Sequence, residues 1–522
     1  MTETKVEKEQ QFNKVKIKNI ILKTITVLIL AFLVVTTFKC RYKMYSKSNH
    51  PTGLDGYYYA LQAKSFAENG ALENPDIETG YYLCGMFAKI CGDPIKGVKL
   101  CDAFTSVMTC FAVFLLILAA TKNVFFAFLG FLLTAASPSF TLMGINYINN
   151  QIGLMFLMLF VTILLFLNEN FLGLKKFEKI FYIAGAVLLF VLCALSHKVT
   201  FVYSVFLLGI FLLSKSRKVF TALLKKKWMM ISFLSVFVIC VLAGILFVKL
   251  HSPRFLNSFK LWNLPLSKHK MLEAQISNFG VVEIWLYYLV AWIGGIIFAV
   301  TKKQNRLMVL AIPVLFFLFW NANSDMGIRM LQNTVIVGIP VCVYLVWNLV
   351  QSKIPFKLEN VFCAAICLRL LYMLFFTPNL YKPKNDPPYE KYKRIAEKVE
   401  LSDSSLLIAH LGLNHVYTYY QNLRDCLNWN CDFEVKDNDV WRLAYGADED
   451  RMRMVLAENG FDYGQLCDQI ESINLNYVLI KEDLWQKYLL LEDKEIAETF
   501  NNWYNPHEAR PEFIRKKRKA QK

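Results

Sequence analysis

The amino-acid sequence predicts a polytopic α-helical membrane protein, with about eleven transmembrane helices followed by a small extracytoplasmic α/β domain. Its 522 residues are 55% hydrophobic and only 19% charged, and their mean hydropathy is +0.35. Soluble domains carry about a quarter charged residues, so this composition excludes an ordinary soluble protein, and it equally excludes a disordered one.

The charge is divided along the chain in the same way as the hydropathy. Residues 381–522 hold 21 basic and 25 acidic side chains, whereas residues 1–380 hold 37 basic and only 16 acidic ones. The net charge of +17 therefore belongs to the apolar part of the chain. This distribution is typical of a membrane domain followed by a water-soluble one, and it gives no indication of nucleic-acid binding.

Eleven apolar stretches are long enough to cross the hydrocarbon core of a bilayer. They cover residues 18–38, 100–120, 124–143, 151–168, 180–196, 199–214, 228–249, 281–300, 307–321, 330–350 and 359–377. The fifth and sixth stretches are separated only by Ser196-His197-Lys198, which we predict to be a short turn.

Basic residues in alternate short loops give the orientation, because such loops stay in the cytoplasm. They are Lys14, Lys16, Lys18, Lys122, Lys175, Lys176, Lys179, Lys215, Arg217, Lys218, Lys225, Lys226, Lys227, Lys302, Lys303, Arg306, Lys353 and Lys357. Residues 1–17 are then a cytoplasmic leader, the first span is a signal anchor, and residue 381 onward is extracytoplasmic. The sequence has no Asn-x-Ser/Thr site, so we expect a bacterial inner (plasma) membrane.

These features predict three segments after the leader. Residues 18–380 form the transmembrane domain, with large outer loops at 39–99 and 251–280. Residues 381–510 form the outer soluble domain, and 511–522 are a basic tail. In the soluble domain we predict helices at 389–400, 415–421, 450–459, 463–473 and 483–491, strands at 405–410 and 477–480, and a turn at Asp437-Asn438-Asp439. Cys84 and Cys91, and likewise Cys426 and Cys431, could form disulfides, and the sequence leaves both possibilities open.

The first outer loop contains the most informative segment. Asp55-Gly56 predicts a helix start, and Asn69-Gly70 predicts its end. A carboxylate just beyond the first span lies at the water–lipid boundary, where its proton affinity is tunable, so Asp55 suits a general base. The alternative is that Asp55 only caps the helix, and both interpretations remain open on the residues alone.

Short motifs resemble those of the GT-C superfamily of integral-membrane glycosyltransferases, which use polyprenyl-phosphate-linked sugars. The segment Asp55-Gly56-Tyr57-Tyr58-Tyr59, a helix and Gly70 resemble the first outer loop of that family. Ser137-Pro138, Asn146-Tyr147, the His197 turn and Gly327-Ile328-Arg329 are also similar. The resemblance implies a GT-C-like fold and transfer of a sugar with inversion to an extracytoplasmic lipid, glycan or protein acceptor.

The resemblance also implies roles for individual residues. Asp55 would take the proton of the acceptor hydroxyl, and Arg329 would bind the donor phosphate, since a guanidinium matches phosphate oxygens. The other residues assigned to substrate binding are His197, Lys198, Arg254, Tyr57, Tyr58 and Tyr59. Lys198 and Arg254 have an alternative role as interfacial anchors.

The second outer loop departs from the metal-dependent members of the family. Its sequence, Gly144-Ile145-Asn146-Tyr147-Ile148-Asn149-Asn150-Gln151, contains no acid. A divalent metal is therefore a possible cofactor that this loop does not support. No other cofactor is expected.

Two other functions remain as alternatives. An envelope polysaccharide polymerase or ligase would also have many spans and basic outer loops. A lipid or solute transporter or flippase would place ionisable residues in the middle of its spans, where this sequence has few.

Overall fold

A computed structural model gives the fold. It describes residues 3–224, 278–300, 307, 310, 325–351, 356–399, 401–402, 405–410, 412–422, 426–428, 439–445 and 477–482. The chain forms two compact units. The first, here called the helical unit, comprises Met1–Lys47, Pro75–Leu83 and Lys99–Lys382. The second, here called the mixed unit, comprises Ser48–Asn74, Cys84–Val98 and Pro383–Lys522.

The described part of the chain is mostly helical. Its helices are α1 (Glu3–Tyr45), α2 (Gly56–Asn69), α3 (Thr79–Cys91), α4 (Pro94–Thr121), α5 (Val124–Ala136), α6 (Pro138–Asn146), α7 (Ile148–Asn170), α8 (Lys176–Ser196), α9 (Lys198–Leu224), α10 (Asn278–Val300), α11 (Asp325–Gln351), α12 (Phe356–Leu374), α13 (Tyr389–Lys398) and α14 (Leu413–Tyr420). Short 3₁₀ turns lie at Thr377–Leu380 and Pro383–Asn385.

Several of these helices are long and apolar enough to cross a membrane. Within the described residues there are five, at Ile20–Tyr45, Pro94–Thr121, Ile148–Asn170, Lys176–Ser196 and Asn333–Val350. The count rises to seven if each of two bent helix pairs is one span. The predicted multi-pass helical membrane protein is confirmed. The predicted span 228–249, and all of 307–321 except residues 307 and 310, lie outside the described residues.

One predicted span, 124–143, is bent by 54° between α5 and α6. The bend lies at Ser137-Pro138, where Ser137 has an extended backbone and its Oγ accepts a hydrogen bond from Phe140 N at 3.0 Å. Pro138 has no N–H to donate to the preceding turn. Serine cap and proline together therefore end α5 and start α6.

Buried polar side chains tie the helical unit together around Gln151, in the first turn of α7. Gln151 Nε2 donates to Asp102 Oδ1 at 3.1 Å and to Thr105 Oγ1 at 2.9 Å, and its Oε1 accepts from Ser106 Oγ at 3.1 Å. Polar groups in an apolar interior are costly unless they are hydrogen-bonded. These bonds therefore fix α7 against α4.

A neighbouring amide pair fixes α7 against α11. Asn150 Nδ2 donates to Asn333 Oδ1 at 2.7 Å, and Asn333 Nδ2 donates back to Asn150 Oδ1 at 3.1 Å. Both side chains are buried. The acid-free sequence of the second outer loop thus supplies amides that join helices.

The mixed unit contains a four-stranded sheet of order β2-β1-β3-β4. The strands are β1 (Leu406–Ala409), β2 (Cys426–Asn428), β3 (Val440–Tyr445) and β4 (Tyr477–Lys481). β1 runs parallel to β2 and β3, and β4 runs antiparallel to β3. Arg442 of β3 forms a buried bidentate ion pair with Glu482. The predicted α/β domain is therefore present in this region.

The helices predicted at 389–400 and 415–421 correspond to α13 and α14, and the strands predicted at 405–410 and 477–480 correspond to β1 and β4. The sequence interpretation missed β2 and β3. The helices predicted at 450–459, 463–473 and 483–491, and the basic tail, lie outside the described residues.

Asp439, the last residue of the Asp437-Asn438-Asp439 segment, is held at the start of β3. Its Oδ2 accepts from Trp441 Nε1 at 2.8 Å and from Ser405 Oγ at 2.7 Å. The hydrogen bond from Trp441, ahead of that from Ser405, lowers the pKa of this carboxyl. Asp439 therefore links strands.

Cys84, Cys91 and Cys426 are free thiols. The Cys84/Cys91 disulfide considered from the sequence is thus not formed. Cys431 lies outside the described residues.

Candidate functional site

Asp55 stands at the start of α2, as the sequence predicts. It occupies the N-cap position, and α2 ends at Gly70 in a left-handed conformation with φ +73°. Asp55 is exposed, and its side chain makes no capping hydrogen bond. The interpretation of Asp55 as a cap alone requires such a bond, so the geometry disfavours it.

The turn before Asp55 is held by residues from the start of α13. Tyr389 Oη donates to the carbonyl oxygens of Gly53 at 2.5 Å and Leu54 at 3.0 Å. Gly53 N donates to Asp386 Oδ1 at 3.1 Å. The backbone next to Asp55 is therefore positioned by residues more than 330 positions later in the chain.

Gly56 makes room for this turn. A Cβ at Gly56 would lie 3.0 Å from the carbonyl carbon and 3.1 Å from the Cβ of Pro51. The Asp-Gly pair thus provides both a carboxylate and a close approach of Pro51 to the start of α2.

A buried group of rings surrounds Tyr57. Its hydroxyl lies 2.8 Å from His50 Nδ1 and 2.8 Å from Tyr420 Oη. The Tyr389 ring meets it edge-on at a centroid distance of 4.8 Å. Burial, followed by the hydrogen bond with Tyr420, raises the pKa of Tyr57. Tyr57 is 1% exposed, so it packs inside the mixed unit as a neutral phenol.

His50 extends this group to the surface. Its Nε2 lies 2.9 Å from Glu390 Oε2, and Glu390 is largely exposed. The hydrogen bond from His50 lowers the pKa of the Glu390 carboxyl. This hydrogen bond, with the Tyr389 and Asp386 contacts, ties the segment before α2 to the start of α13.

Tyr58 has surroundings that differ from those of Tyr57 and Tyr59. Tyr57 and Tyr59 are buried, whereas Tyr58 is half-buried. The Tyr58 ring lies against the His415 ring of α14, with centroids 5.0 Å apart and planes tilted by 47°. Of the three tyrosines assigned to substrate binding, Tyr58 is thus the most exposed to solvent.

Gln62, one turn after Tyr58, holds the Tyr58 hydroxyl. Gln62 Nε2 donates to Tyr58 Oη at 3.1 Å and to the carbonyl of Asn74 at 2.9 Å. Its Oε1 accepts from Asn74 N at 3.1 Å. This buried amide anchors the loop after α2 as well as the phenol.

His197 and Lys198 form the turn between α8 and α9, as predicted. His197 has an extended backbone with φ −163°, and its Nδ1 accepts from Val199 N at 3.3 Å. The His197 side chain is 2% exposed and Lys198 is half-buried. His197 therefore connects two helices, and its imidazole is buried in the helical unit.

The segment 75–83 packs beside this turn within the helical unit. Thr79 Oγ1 donates to the carbonyl of Leu195 at 3.1 Å, and Asn149 Nδ2 donates to Glu78 Oε2. A Cβ at Gly80 would lie 1.8 Å from Asn149 Oδ1. Glu78 and Asn149 thus bring the first and second outer loops together, a pairing that the sequence interpretation did not identify.

Two predicted site residues cannot be assigned contacts. Arg329 lies in the first turns of α11, but its side chain is outside the described part. Arg254 lies outside the described residues altogether. Among the residues that the structure describes, no group of three or more His, Cys, Asp or Glu side chains is arranged to hold a metal ion.

The sequence interpretation missed the contribution of Tyr389 and Asp386 to the turn before Asp55, and that of His415 to the surroundings of Tyr58. A cluster of aromatic residues and histidine at 415–420 was the available signal, but nothing local connects it with α2. Tyr58 and His415 together offer a phenol and an imidazole in the mixed unit, and Asp55 precedes Tyr58 by three residues.

Comparison with models of known protein families found no match, and neither did comparison with curated proteins. Comparison with solved structures did. ArnT from Cupriavidus metallidurans in the apo state superposes with a TM-score of 0.50 at 14% identity, over 78% of this chain and 85% of ArnT. The chain therefore has the fold of ArnT, as the GT-C resemblance of its motifs predicted.

Two further structures are similar at slightly lower scores. ArnT from Cupriavidus metallidurans bound to undecaprenyl phosphate has a TM-score of 0.49 at 12% identity, over 78% of this chain and 86% of ArnT. The Archaeoglobus fulgidus oligosaccharyltransferase, in complex with Zn and sulfate, has a TM-score of 0.48 at 12% identity, over 85% of this chain and 66% of that protein.

Proposed function

We propose that this chain is a membrane glycosyltransferase of the GT-C type. It transfers a sugar from a polyprenyl-phosphate carrier to an extracytoplasmic acceptor, with inversion. The observation that carries the proposal is a shared fold with ArnT combined with an exposed, non-capping carboxylate, Asp55, at the start of α2. The donor class follows from the sequence resemblance.

In this proposal Asp55 is the general base. An acceptor hydroxyl attacks the anomeric carbon of the donor, and its proton passes to the Asp55 carboxylate as the bond to the carrier phosphate breaks. General-base catalysis of this kind contributes about 10²–10⁴-fold to a rate. The pre-positioned turn at Gly53 and Leu54 suits this role, because a base must be held near its proton donor.

The leaving phosphate needs cationic groups, since it departs with negative charge. Arg329 remains the first candidate, with His197, Lys198 and Arg254 as further ones. Of these, the described geometry supports His197 least, because its imidazole is buried in the turn between α8 and α9. Tyr57 and Tyr59 are better explained as packing residues, whereas Tyr58 stays a candidate for substrate contact.

The orientation belongs to the same proposal. The N-terminus is cytoplasmic and the mixed unit is extracytoplasmic, in a bacterial inner membrane, so that Asp55 faces the side where the lipid-linked sugar is presented.

The test is sugar transfer by purified protein in nanodiscs, with a radiolabelled polyprenyl-monophosphate sugar and an extract of envelope acceptors. Asp55→Asn has the same shape and cannot take a proton, so we expect its transfer rate to fall at least about 10²-fold. Matched thermal unfolding of Asp55→Asn and the wild type controls for folding. Full transfer by Asp55→Asn would remove Asp55 as the base. Transfer only of long lipid-linked glycans would favour a polymerase or ligase, and solute uptake without transfer would favour a transporter.

A further inference from the structure

Tyr58 follows the proposed base by three residues in α2, and its ring packs against His415. Residues three and seven positions apart share one helical face, so Tyr58 and Gln62 lie on the face that begins at Asp55. Tyr57, one residue before Tyr58, points about 100° away and is buried. The Asp55 face thus presents the Tyr58 ring, backed by the His415 ring at 5.0 Å.

The Tyr58 ring is held by a buried amide, and His415 is carried by a helix. The Tyr58 hydroxyl is fixed by Gln62, whose amide is itself bonded to the backbone of Asn74. His415 lies in the first turn of α14, which starts at Gly412 with φ +94°. Gly412 N donates to Asn414 Oδ1 at 3.0 Å. Such a preorganised pair loses little freedom when a ligand binds.

The topology of the sheet places His415 where α/β domains bind ligands. β1 is followed by α14 and then by β2 on one side, while β3 pairs with β1 on the other side. The chain order therefore reverses at β1, and α14 begins at the carboxyl end of that strand. Crevices at such switch points are the usual binding positions in open α/β sheets.

We propose that Tyr58 and His415 form a subsite for a sugar ring of the acceptor, so that the acceptor is a glycan. This inference rests on the proposed function. A pyranose has an apolar face of C–H groups, which packs on aromatic rings, and a rim of hydroxyls, which bonds to polar groups. The Tyr58–His415 pair offers both, and Asp55, three residues before Tyr58, is the group proposed to take the proton of a hydroxyl of that sugar.

The chemistry of the cluster favours a sugar over a phosphate-bearing headgroup or a peptide. A phosphate requires guanidinium or ammonium groups, whereas these residues supply a carboxylate, a phenol and an imidazole. An extended peptide is held by main-chain hydrogen bonds along a sheet edge, whereas Tyr58 and His415 are presented by two helices.

The test is saturation-transfer NMR on the full chain in nanodiscs. The probes are the methyl β-glycosides of glucose, galactose, N-acetylglucosamine, mannose and rhamnose, with glycerol 1-phosphate and an acetyl-Ser-amide peptide as comparators. We expect at least one glycoside to receive saturation, strongest at its ring C–H protons. Tyr58→Ala and His415→Ala should each weaken that signal about fivefold, while Tyr58→Phe, which keeps the ring, should retain most of it.

The matched control is His50→Gln. It removes the other His–Tyr pair of α2, in which the His50 and Tyr57 rings lie 5.9 Å apart with the same 47° tilt, and it should leave the glycoside signal intact. Asp55→Asn should also bind glycoside while losing transfer. The subsite is wrong if no glycoside signal depends on Tyr58 and His415, or if the phosphate or peptide probe depends on them instead. If the wild type binds glycoside but does not turn over the polyprenyl-phosphate sugar, the proposed function is wrong and the subsite is not.

Discussion

Three consecutive tyrosines show that a shift of one position along a helix decides whether a side chain is buried or partly exposed. Tyr57, Tyr58 and Tyr59 are chemically identical, and each successive residue is rotated by about 100° around the axis of α2. Tyr57 and Tyr59 are therefore buried, whereas Tyr58 meets His415 at the surface. The sequence predicted the aromatic cluster, but only the packing partners of α2 separate its structural members from the one that suits a ligand.

The hydrogen bond between His50 and Glu390 makes the stability of the mixed unit depend on pH. The pKa of Glu390 is lowered in the folded protein, so its contribution is present above the ordinary carboxyl pKa and is lost as pH falls through the lowered value. We expect Glu390→Gln to melt about 1–2 °C below the wild type at pH 7, since the pair is exposed.

The measurement is thermal unfolding in detergent from pH 7 to pH 3. The difference between Glu390→Gln and the wild type should shrink toward zero at the acid end of this range. Glu397→Gln is the comparison variant, because Glu397 also lies in α13 and pairs with Lys393 at 3.7 Å instead of with His50. A gap for Glu390→Gln that stays constant across the whole pH range would contradict the role of its carboxylate charge.

At the scale of elements, the contact between α3 and α4 depends on a glycine. A Cβ at Gly97 would lie 2.5 Å from both the backbone N and the Cα of Ala88. Backbone atoms cannot rotate away as a side chain can, so Gly97→Ala should force the two helices apart. We expect a loss of about 1–3 kcal/mol in unfolding free energy, measured as a lower melting temperature.

Gly209 of α9 provides the control for that substitution. Among the residues that the structure describes, nothing lies within 4 Å of a Cβ at this position, and alanine favours a helix by about 0.5–1 kcal/mol over glycine. Gly209→Ala should therefore leave the melting temperature equal to or above that of the wild type. Equal effects of the two substitutions would show that the α3–α4 contact is not what makes Gly97→Ala costly.

The elements that could be predicted from sequence are those with a strong local signal. Long apolar stretches gave most helices of the helical unit, and Asp55-Gly56 with Asn69-Gly70 gave both ends of α2. The strands β2 and β3 were missed for physical reasons. β2 has only three residues, too few to show a pattern. β3 carries a buried arginine, Arg442, whose charge is neutralised by Glu482, 40 positions later in the chain.

At the scale of the whole molecule, the decisive contacts join distant parts of the sequence. The segment before α2 is bonded to Asp386, Tyr389, Glu390 and Tyr420, which follow it by more than 300 positions. No local pattern encodes such pairs, so the sequence predicted Asp55 and its helix but not the residues that hold them.

The proposed orientation is tested on whole chains in cells. Alkaline phosphatase fused after Lys522 should be active, since the C-terminus is expected to be extracytoplasmic. Green fluorescent protein fused at the same position should not fluoresce. Fusions after Gly173, in the connection between α7 and α8, should give the reverse result. Fluorescence at the C-terminus together with phosphatase activity at Gly173 would invert the assignment.

The bonds from Tyr389 to Gly53 and Leu54 also impose an order on biosynthesis. Ribosomes add about 5–20 residues per second, so the turn before Asp55 emerges roughly 20–60 s before the phenol that will secure it. Until then the nascent chain has its first membrane anchor but lacks the clamp beside its proposed base. A polypeptide released before Tyr389, even one containing every predicted span, would lack the same clamp, so assembly of the site requires synthesis beyond the last predicted span.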